Sequence, residues 1–295
     1  MSFRKEQRFQ GDRGDEMGLK ERAGGLFGPE DWEEAGLVVA VVDRICCVQG
    51  GQLHEVARRR SLVLTLCVHE GRLYDGGRYA QIYETATDTK VAERPEWVLS
   101  LCSHQGVLYD AGNYLRVHET FSGREIARRP GAIHTLCPFE DTLYDGGDYP
   151  AICETLHGRE VGRRHEEVLT LVSHEEGLFD GGGDGRIHET LTGREVAVRD
   201  DPVLTLCAHG GVLFDGTTRG LILETLAHRQ VADRDFPVTA LCSHRGRLYD
   251  GGPYGFIYET LEDRMVVGGI KAVTAMASVS PDVFQALWAR TQHDR

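Results

Sequence analysis

The chain has 295 residues, 41% of them hydrophobic, and a formal net charge of −13. That length suits one large domain able to bury a substantial core. The charge argues against nucleic acid and anionic membrane as partners. No apolar run is long enough to span a bilayer, and residues 1–5 lead into charged sequence, not a signal peptide.

Residues 1–27 mix Arg, Lys, Glu, Asp and Gly and read as a partly disordered tail. Arg13-Gly14-Asp15 reproduces an adhesion tripeptide, a coincidence in a thiol-rich chain. A unit of 35 residues then repeats. The first copy, 28–62, is decayed. Its Leu37-Val38-Val39-Ala40-Val41-Val42 falls where later copies read Leu-Tyr-Asp-Gly-Gly, and its Val56-Ala57-Arg58-Arg59 matches Val91-Ala92-Glu93-Arg94. Residues 28–35, Gly-Pro-Glu-Asp-Trp-Glu-Glu-Ala, make a poor opening strand.

The first intact copy, 63–97, holds four short β-rich segments separated by turn residues. An apolar run ends at Glu70-Gly71, and Arg72 to Asp75 leads into Gly76-Gly77. Residues 81–85 read Gln-Ile-Tyr-Glu-Thr and residues 90–94 read Lys-Val-Ala-Glu-Arg. None has helical spacing. Intact copies open at Val63, Val98, Ile133, Val168, Val203 and Val238. A fixed period of this size is a repeat architecture, and four antiparallel strands repeated radially make one blade of a propeller. A parallel β-helix ranks well below, because its coils have shorter periods. The missing first strand reappears as Val273-Thr274-Ala275-Met276-Ala277, 35 residues after Val238. The expectation is an all-β fold: a seven-bladed β-propeller of four-stranded blades over 28–280, its first blade closed by the C-terminal strand. Such closure removes open sheet edges. In residues 281–295, Ser280-Pro281-Asp282 starts a short helix. The stripe Val283, Phe284, Leu287 and Trp288 is expected to dock on the propeller in preference to a partner.

The repeat aligns the chain with itself and exposes fixed polar columns. Glu stands at 84, 119, 154, 189, 224 and 259, always followed by Thr, and Asp at 75, 110, 145, 180, 215 and 250. His occupies 69, 104, 174, 209 and 244, with Phe139 in the remaining copy. Together these could perform acid–base chemistry. A catalytic group is needed once, however, and these recur on every intact copy, as a structural network does. Arg is fixed at 59, 94, 129, 164, 199 and 234, just before each intact copy. The column ends in Gly269, and the decayed blade that follows around the ring has Gln49 for Glu and Ala40 for Asp. Arg is lost where the next blade has lost its acids. Each Arg is therefore expected to cross to the next blade, as Arg59 to Asp75 or Glu84, its fork binding a carboxylate bidentately. The inter-blade set is Arg59, Asp75, Glu84; Arg94, Asp110, Glu119; Arg129, Asp145, Glu154; Arg164, Asp180, Glu189; Arg199, Asp215, Glu224; and Arg234, Asp250, Glu259.

Five of the eight Cys share one repeat position: Cys67, Cys102, Cys137, Cys207 and Cys242, with Val172 in the sixth copy. Equivalent positions on different blades lie too far apart for disulfides, and Val there marks a small apolar packing role. Cys46 and Cys47 are adjacent and face opposite sides of a strand. No Cys-x-x-Cys or His-rich spacing marks a metal. Free thiols, a cytoplasmic location, and neither metal nor cofactor are expected.

Function is sought where the units differ. The second-to-third loop and the blade crossover fall at the same end of a four-stranded blade. The loop position reads Tyr79, Tyr114, Tyr149, Asp184, Arg219 and Tyr254, and the crossovers add Trp97 and Phe236. These residue types anchor interfaces, although the Tyr rings could equally cap the blade ends. Asp184 and Arg219 break the symmetry and favour an oriented partner.

The pattern resembles the WD-repeat propellers. Val168-Leu169-Thr170-Leu171, then residues 178–187 (Leu-Phe-Asp-Gly-Gly-Gly-Asp-Gly-Arg-Ile), then Leu191-Thr192-Gly193 are similar to that family's strand, turn and Thr-Gly hairpin. The resemblance covers about residues 36 to 280. The Trp-Asp pair is absent, Ile-x-Glu-Thr stands near its place, and the turn Asp matches only Asp184. The unit is also shorter than the family's, so the chain reads as a compact relative or look-alike. The expected function is a non-enzymatic, monomeric scaffold binding a protein partner through the loop rim. The alternative is a small ligand or glycan at the Tyr-lined channel mouth.

Overall fold

The computed structural model describes residues 36–293. The tail expected over 1–27 and the poor strand of 28–35 lie outside the described residues. Among the described residues, 28 strands, β1 to β28, form seven antiparallel sheets of four. One helix follows, α1 (Pro281–His293). Blade 1 joins β28 (Val273–Ser278), β1 (Leu37–Val41), β2 (Arg44–Gln49) and β3 (Gln52–Arg58) in that order. Blades 2 to 7 each take four consecutive strands, beginning with β4 (Val63–His69). Inner strands of successive blades pack side by side, and β28 packs between those of blades 7 and 2. The ring therefore closes through the C-terminal strand, with Leu37 opposite Ser278, Val38 opposite Ala277 and Val39 opposite Met276.

The second strands of blades 2, 4, 5 and 7 carry the Asp-Gly-Gly run, with Ala111 for the first glycine in blade 3 and Thr217 for the second in blade 6, and the glycines are explained by what lies over them. A β-carbon at Gly76 would sit 2.8 Å from Val98 Cγ1 of the next blade, and Gly146 meets Val168 at the same distance. A β-carbon at Gly77, Gly112 or Gly147 would stand 1.9–2.0 Å from a crossover carbonyl oxygen. The first glycine lets blades approach, and the second lets the crossover fold over its own sheet. Blade 7 departs slightly from the expected boundary. Its inner strand begins at Ala240, not Val238.

Blade 1 is held differently from the rest. Every residue of β1 is fully buried. Leu37, Val39 and Val41 pack with Tyr249, Ile257, Val266 and Val267 of blade 7. Val38 and Ala40 face the other way, toward Val63 and Leu73 of blade 2. Cys46 joins the first cluster and Cys47 the second, on opposite faces of β2. The helix closes the second cluster with Val283, Phe284 and Leu287. Ser280 caps it, its carbonyl accepting from Phe284 N–H at 2.9 Å. Arg290 Nη1 donates to the carbonyls of Thr85 and Ala86, fixing the helix across the edge of blade 2.

Candidate functional site

The Asp column sits in the second strands, with side chains 0–2% exposed. A buried carboxylate is costly unless its oxygens are fully bonded. Each receives a two-pronged guanidinium from the preceding blade. Arg59 Nε and Nη2 donate to Asp75 at 2.6 and 2.7 Å, and Arg129 holds Asp145 at 2.6 Å on both prongs. Arg94, Arg164, Arg199 and Arg234 hold Asp110, Asp180, Asp215 and Asp250 in the same way. The Thr after each Glu completes the clasp. Thr85 Oγ1 donates to Asp75 at 2.8 Å, and Thr120, Thr155, Thr190, Thr225 and Thr260 repeat this at 2.8–2.9 Å.

The Glu column has no share in this. Glu119, Glu154, Glu189, Glu224 and Glu259 pair within their own blades, with Arg124, Arg159, Arg194, Arg229 and Arg264 of the outer hairpin. Glu84, where the hairpin has Thr89, accepts instead from Thr87 and from Arg72 at 3.5 Å. Of the two acids offered as partners for each Arg, Asp takes it and Glu does not. The reason is depth: Asp lies between blades, whereas Glu reaches toward the hairpin at the blade edge. The Arg124 hydrogen bond holds Glu119 below the usual carboxylate range, and Arg229 does the same to Glu224.

Two further columns link neighbouring blades. Thr65, Ser100, Thr135 and Thr170 accept the backbone N–H of Leu101, Leu136, Leu171 and Leu206 of the next blade at 3.0–3.2 Å. His69, His209 and His244 bond through Nδ1 to Ser103, Ser243 and Ser278 of the next blade at 2.8–2.9 Å. A His–Ser contact is the beginning of a nucleophile, but three copies on separate blades act as latches. Among the described residues no group of three His, Cys, Asp or Glu side chains could hold a metal ion. The Cys column is buried, half-buried at Cys67, and burial pushes the thiols up, to about 12 for Cys137 and Cys242 and about 11 for Cys67 and Cys207. Such thiols are poor nucleophiles.

The rim tyrosines divide. Tyr79, Tyr114 and Tyr149 turn inward, and each hydroxyl donates to the clasp Asp of its own blade, at 2.5 Å for Tyr79. Burial, and then the adjacent carboxylate, push these hydroxyls far up, so they stay protonated donors. Asp75, Asp110 and Asp145 thereby gain a fourth donor and fill their acceptor capacity. Tyr114 is 6% and Tyr149 3% exposed, which withdraws them from the rim where the sequence placed them. Trp97 is half-buried, with the Arg78 guanidinium 4.2 Å from its ring centroid. Asp184 folds into its own turn, accepting Arg186 N–H at 3.0 Å. Arg219 is largely exposed and pairs with Asp201 at 3.1 Å. Tyr254 behaves unlike its counterparts, being 63% exposed. Phe236 explains the difference. Its ring lies 3.1 Å from where a β-carbon of Gly252 would be, the place that the Tyr79 ring takes over Gly77 at 2.9 Å. With that site filled, Tyr254 turns outward. The crossover position reads Ser61, Glu96, Gly131, Glu166 and Asp201 elsewhere, so Phe236 is the sequence signal for the displacement.

No protein-family model matches this chain, and no curated protein does. Solved structures resemble it in shape. The WD40 β-propeller domain of Doa1 superposes with a TM-score of 0.62 at 9% identity, over 83% of this chain and 91% of that one. The computationally designed Ika8 protein does so with a TM-score of 0.58 at 13% identity, over 85% of this chain and 96% of that one. Identities this low speak for the fold: a seven-bladed propeller of WD-repeat-like form. No helix among the described residues is long and apolar enough to cross a membrane.

Proposed function

We propose that this protein is a non-enzymatic, monomeric binding scaffold that holds another protein through its loop rim. Propellers of the WD-repeat type are typically scaffolds for protein interaction. The observation that carries the reading is the division of labour around the ring. The invariant Arg, Asp and Thr are engaged in clasps between blades, while the rim of blades 6 and 7 presents two exposed side chains that break the ring's symmetry, Arg219 by its residue type and Tyr254 by turning outward where Tyr114 and Tyr149 are buried. Buried thiols without disulfides support a reducing, cytoplasmic setting. The alternative, a small ligand or glycan at the Tyr-lined channel mouth, draws less support, since the hydroxyls of Tyr79, Tyr114 and Tyr149 serve Asp75, Asp110 and Asp145.

Affinity purification from the native cell, with the wild type and two variants, tests this. Tyr254→Ala/Arg219→Glu is expected to lose the captured protein at an unchanged melting temperature. Tyr79→Phe/Tyr114→Phe is expected to keep it while losing about 1–2 kcal/mol of stability per hydroxyl removed. Retention of every captured protein by the first variant would end the rim reading.

A further inference from the structure

Blade 7 departs from its five intact siblings at three rim positions together, each time by placing a large apolar side chain that none of the others has, and at Met265 it replaces a column that is otherwise polar throughout. Where it has Phe256, the others have Gln81, Arg116, Ala151, Arg186 and Leu221. Where it has Met265, they have Lys90, Glu125, Glu160, Glu195 and Gln230. Where it has Phe236, none has an aromatic residue. The fold gathers these changes. Phe236 stacks on Phe256 with centroids 6.0 Å apart and planes 24° apart, and meets Tyr254 at 5.8 Å. A β-carbon on Gly268 would stand 2.8 Å from the Met265 sulfur and 3.3 Å from a Phe256 ring carbon, so both flank the same bare backbone. Met265 is 53% exposed, Tyr254 63%, and Phe256 is half-buried beside the exposed Pro253. A single exposed apolar residue is ordinary, whereas a contiguous aromatic and thioether patch marks an interaction site.

The surroundings state the charge of the occupant. Two exposed acids, Asp233 at the end of the outer strand of blade 6 and Asp235 next to Phe236, flank Arg234. Blade 1 has Arg58 and Arg60 at these two positions. The basic groups are Lys271, exposed in the crossover beside Gly255, and Arg264, which precedes Met265 and pairs with Glu259. We propose that the Tyr254–Phe256–Met265 patch is the docking site for a partner protein segment that sets an apolar side chain beside lysine or arginine. The apolar residue lies on Phe256 and Met265, and its basic neighbours lie toward Asp233 and Asp235. This rests on the rim reading above and names the chemistry of the partner.

A random peptide library displayed on phage and selected on the full chain tests it. The expected winners carry an apolar residue next to Lys or Arg. Phe256→Gln/Met265→Lys restores the residues of blade 2 at both places and should weaken these peptides roughly tenfold or more at an unchanged melting temperature. Asp233→Asn/Asp235→Asn should weaken them at low salt and less so at high salt. Winners without basic residues overturn the inference. So do winners that keep their affinity for the Phe256→Gln/Met265→Lys variant. If the latter lose affinity for Arg219→Glu, the rim reading survives; if they are lost on neither, or nothing is enriched over a blank support, both fall. Concentration-dependent self-association of the wild type, abolished by Phe256→Gln/Met265→Lys, would assign the patch to a second copy of this chain and likewise overturn the inference.

Discussion

A carboxylate in the middle of a packed sheet is tolerated when every lone pair is used, and Asp145 shows how completely that can be done. Two prongs come from Arg129, one hydroxyl from Thr155 and one from Tyr149. The Arg–Asp pairing was legible from one co-loss, since Gly269 precedes the blade that has Ala40 in place of Asp. The choice of Asp over Glu was not legible, because both columns are invariant and only the depth of the side chain separates them. The inward turn of Tyr79, Tyr114 and Tyr149 was equally hidden, since an aromatic residue in a loop is compatible with a cap and with a rim. The glycines are clearer. A β-carbon at Gly147 would meet the Ala132 carbonyl at 1.9 Å, whereas Gly158 has nothing within 4 Å and only a left-handed φ of 69° to maintain. Gly147→Ala should cost about 4 kcal/mol or more, against about 1 kcal/mol for Gly158→Ala. Urea denaturation of the two variants checks this, and equal losses would show that the crossover yields.

At the scale of the element, each blade is stitched to the next by strand-borne side chains more than by backbone. The inner strands contribute the Thr/Ser and His columns, the second strands Asp, and the segments after the outer strands Arg. The hairpins vary around one conformation. Gly123, Gly158 and Gly193 hold a left-handed turn where blades 2 and 7 have Asp88 and Asp263, at φ of 60° and 48°. These two acids compensate by bonding Arg59 and Arg234. The helix was expected to dock, and its stripe does close the core beside blade 2. Histidines make the elements sensitive to acid. Burial depresses His209, His118 and His188 below the ordinary imidazole value. A folded-state value below the unfolded one means that their contribution is present above the unfolded value of about 6.5 and is lost as pH falls below it toward the folded value. Chemical denaturation at pH 7.5, 6 and 5 should show stability falling over that interval, before the carboxylates titrate. A flat profile would mean that these rings are open to water.

For the whole molecule, repetition shapes the ring and departures from repetition distinguish its sectors. Blade count, closure and the origin of the first blade from both ends could be read from the period alone, because a 35-residue unit with four strand segments leaves little else to build. The seam could not. Between blades 7 and 1, among the described residues, Gly269 and Ala40 stand at the clasp positions, and burial of β1 on both faces takes the place of the clasp. The patch on blade 7 also escaped the sequence. Phe256 and Met265 stand 9 positions apart and Phe236, which Phe256 stacks on, a further 20, and only folding brings them to one place beside Tyr254.

The central claim is that the six intact blades are tied to their predecessors by Arg-to-Asp clasps, which occupy the invariant polar residues. A double-mutant cycle on Arg129 and Asp145, with Arg129 and Glu154 as the comparison, measures this directly. Arg129→Leu alone should cost roughly 3–5 kcal/mol. With Asp145→Asn it should show a coupling of about 2 kcal/mol or more, and with Glu154→Gln none beyond about 0.5 kcal/mol. Additivity for Arg129 and Asp145, or a larger coupling to Glu154, would contradict it.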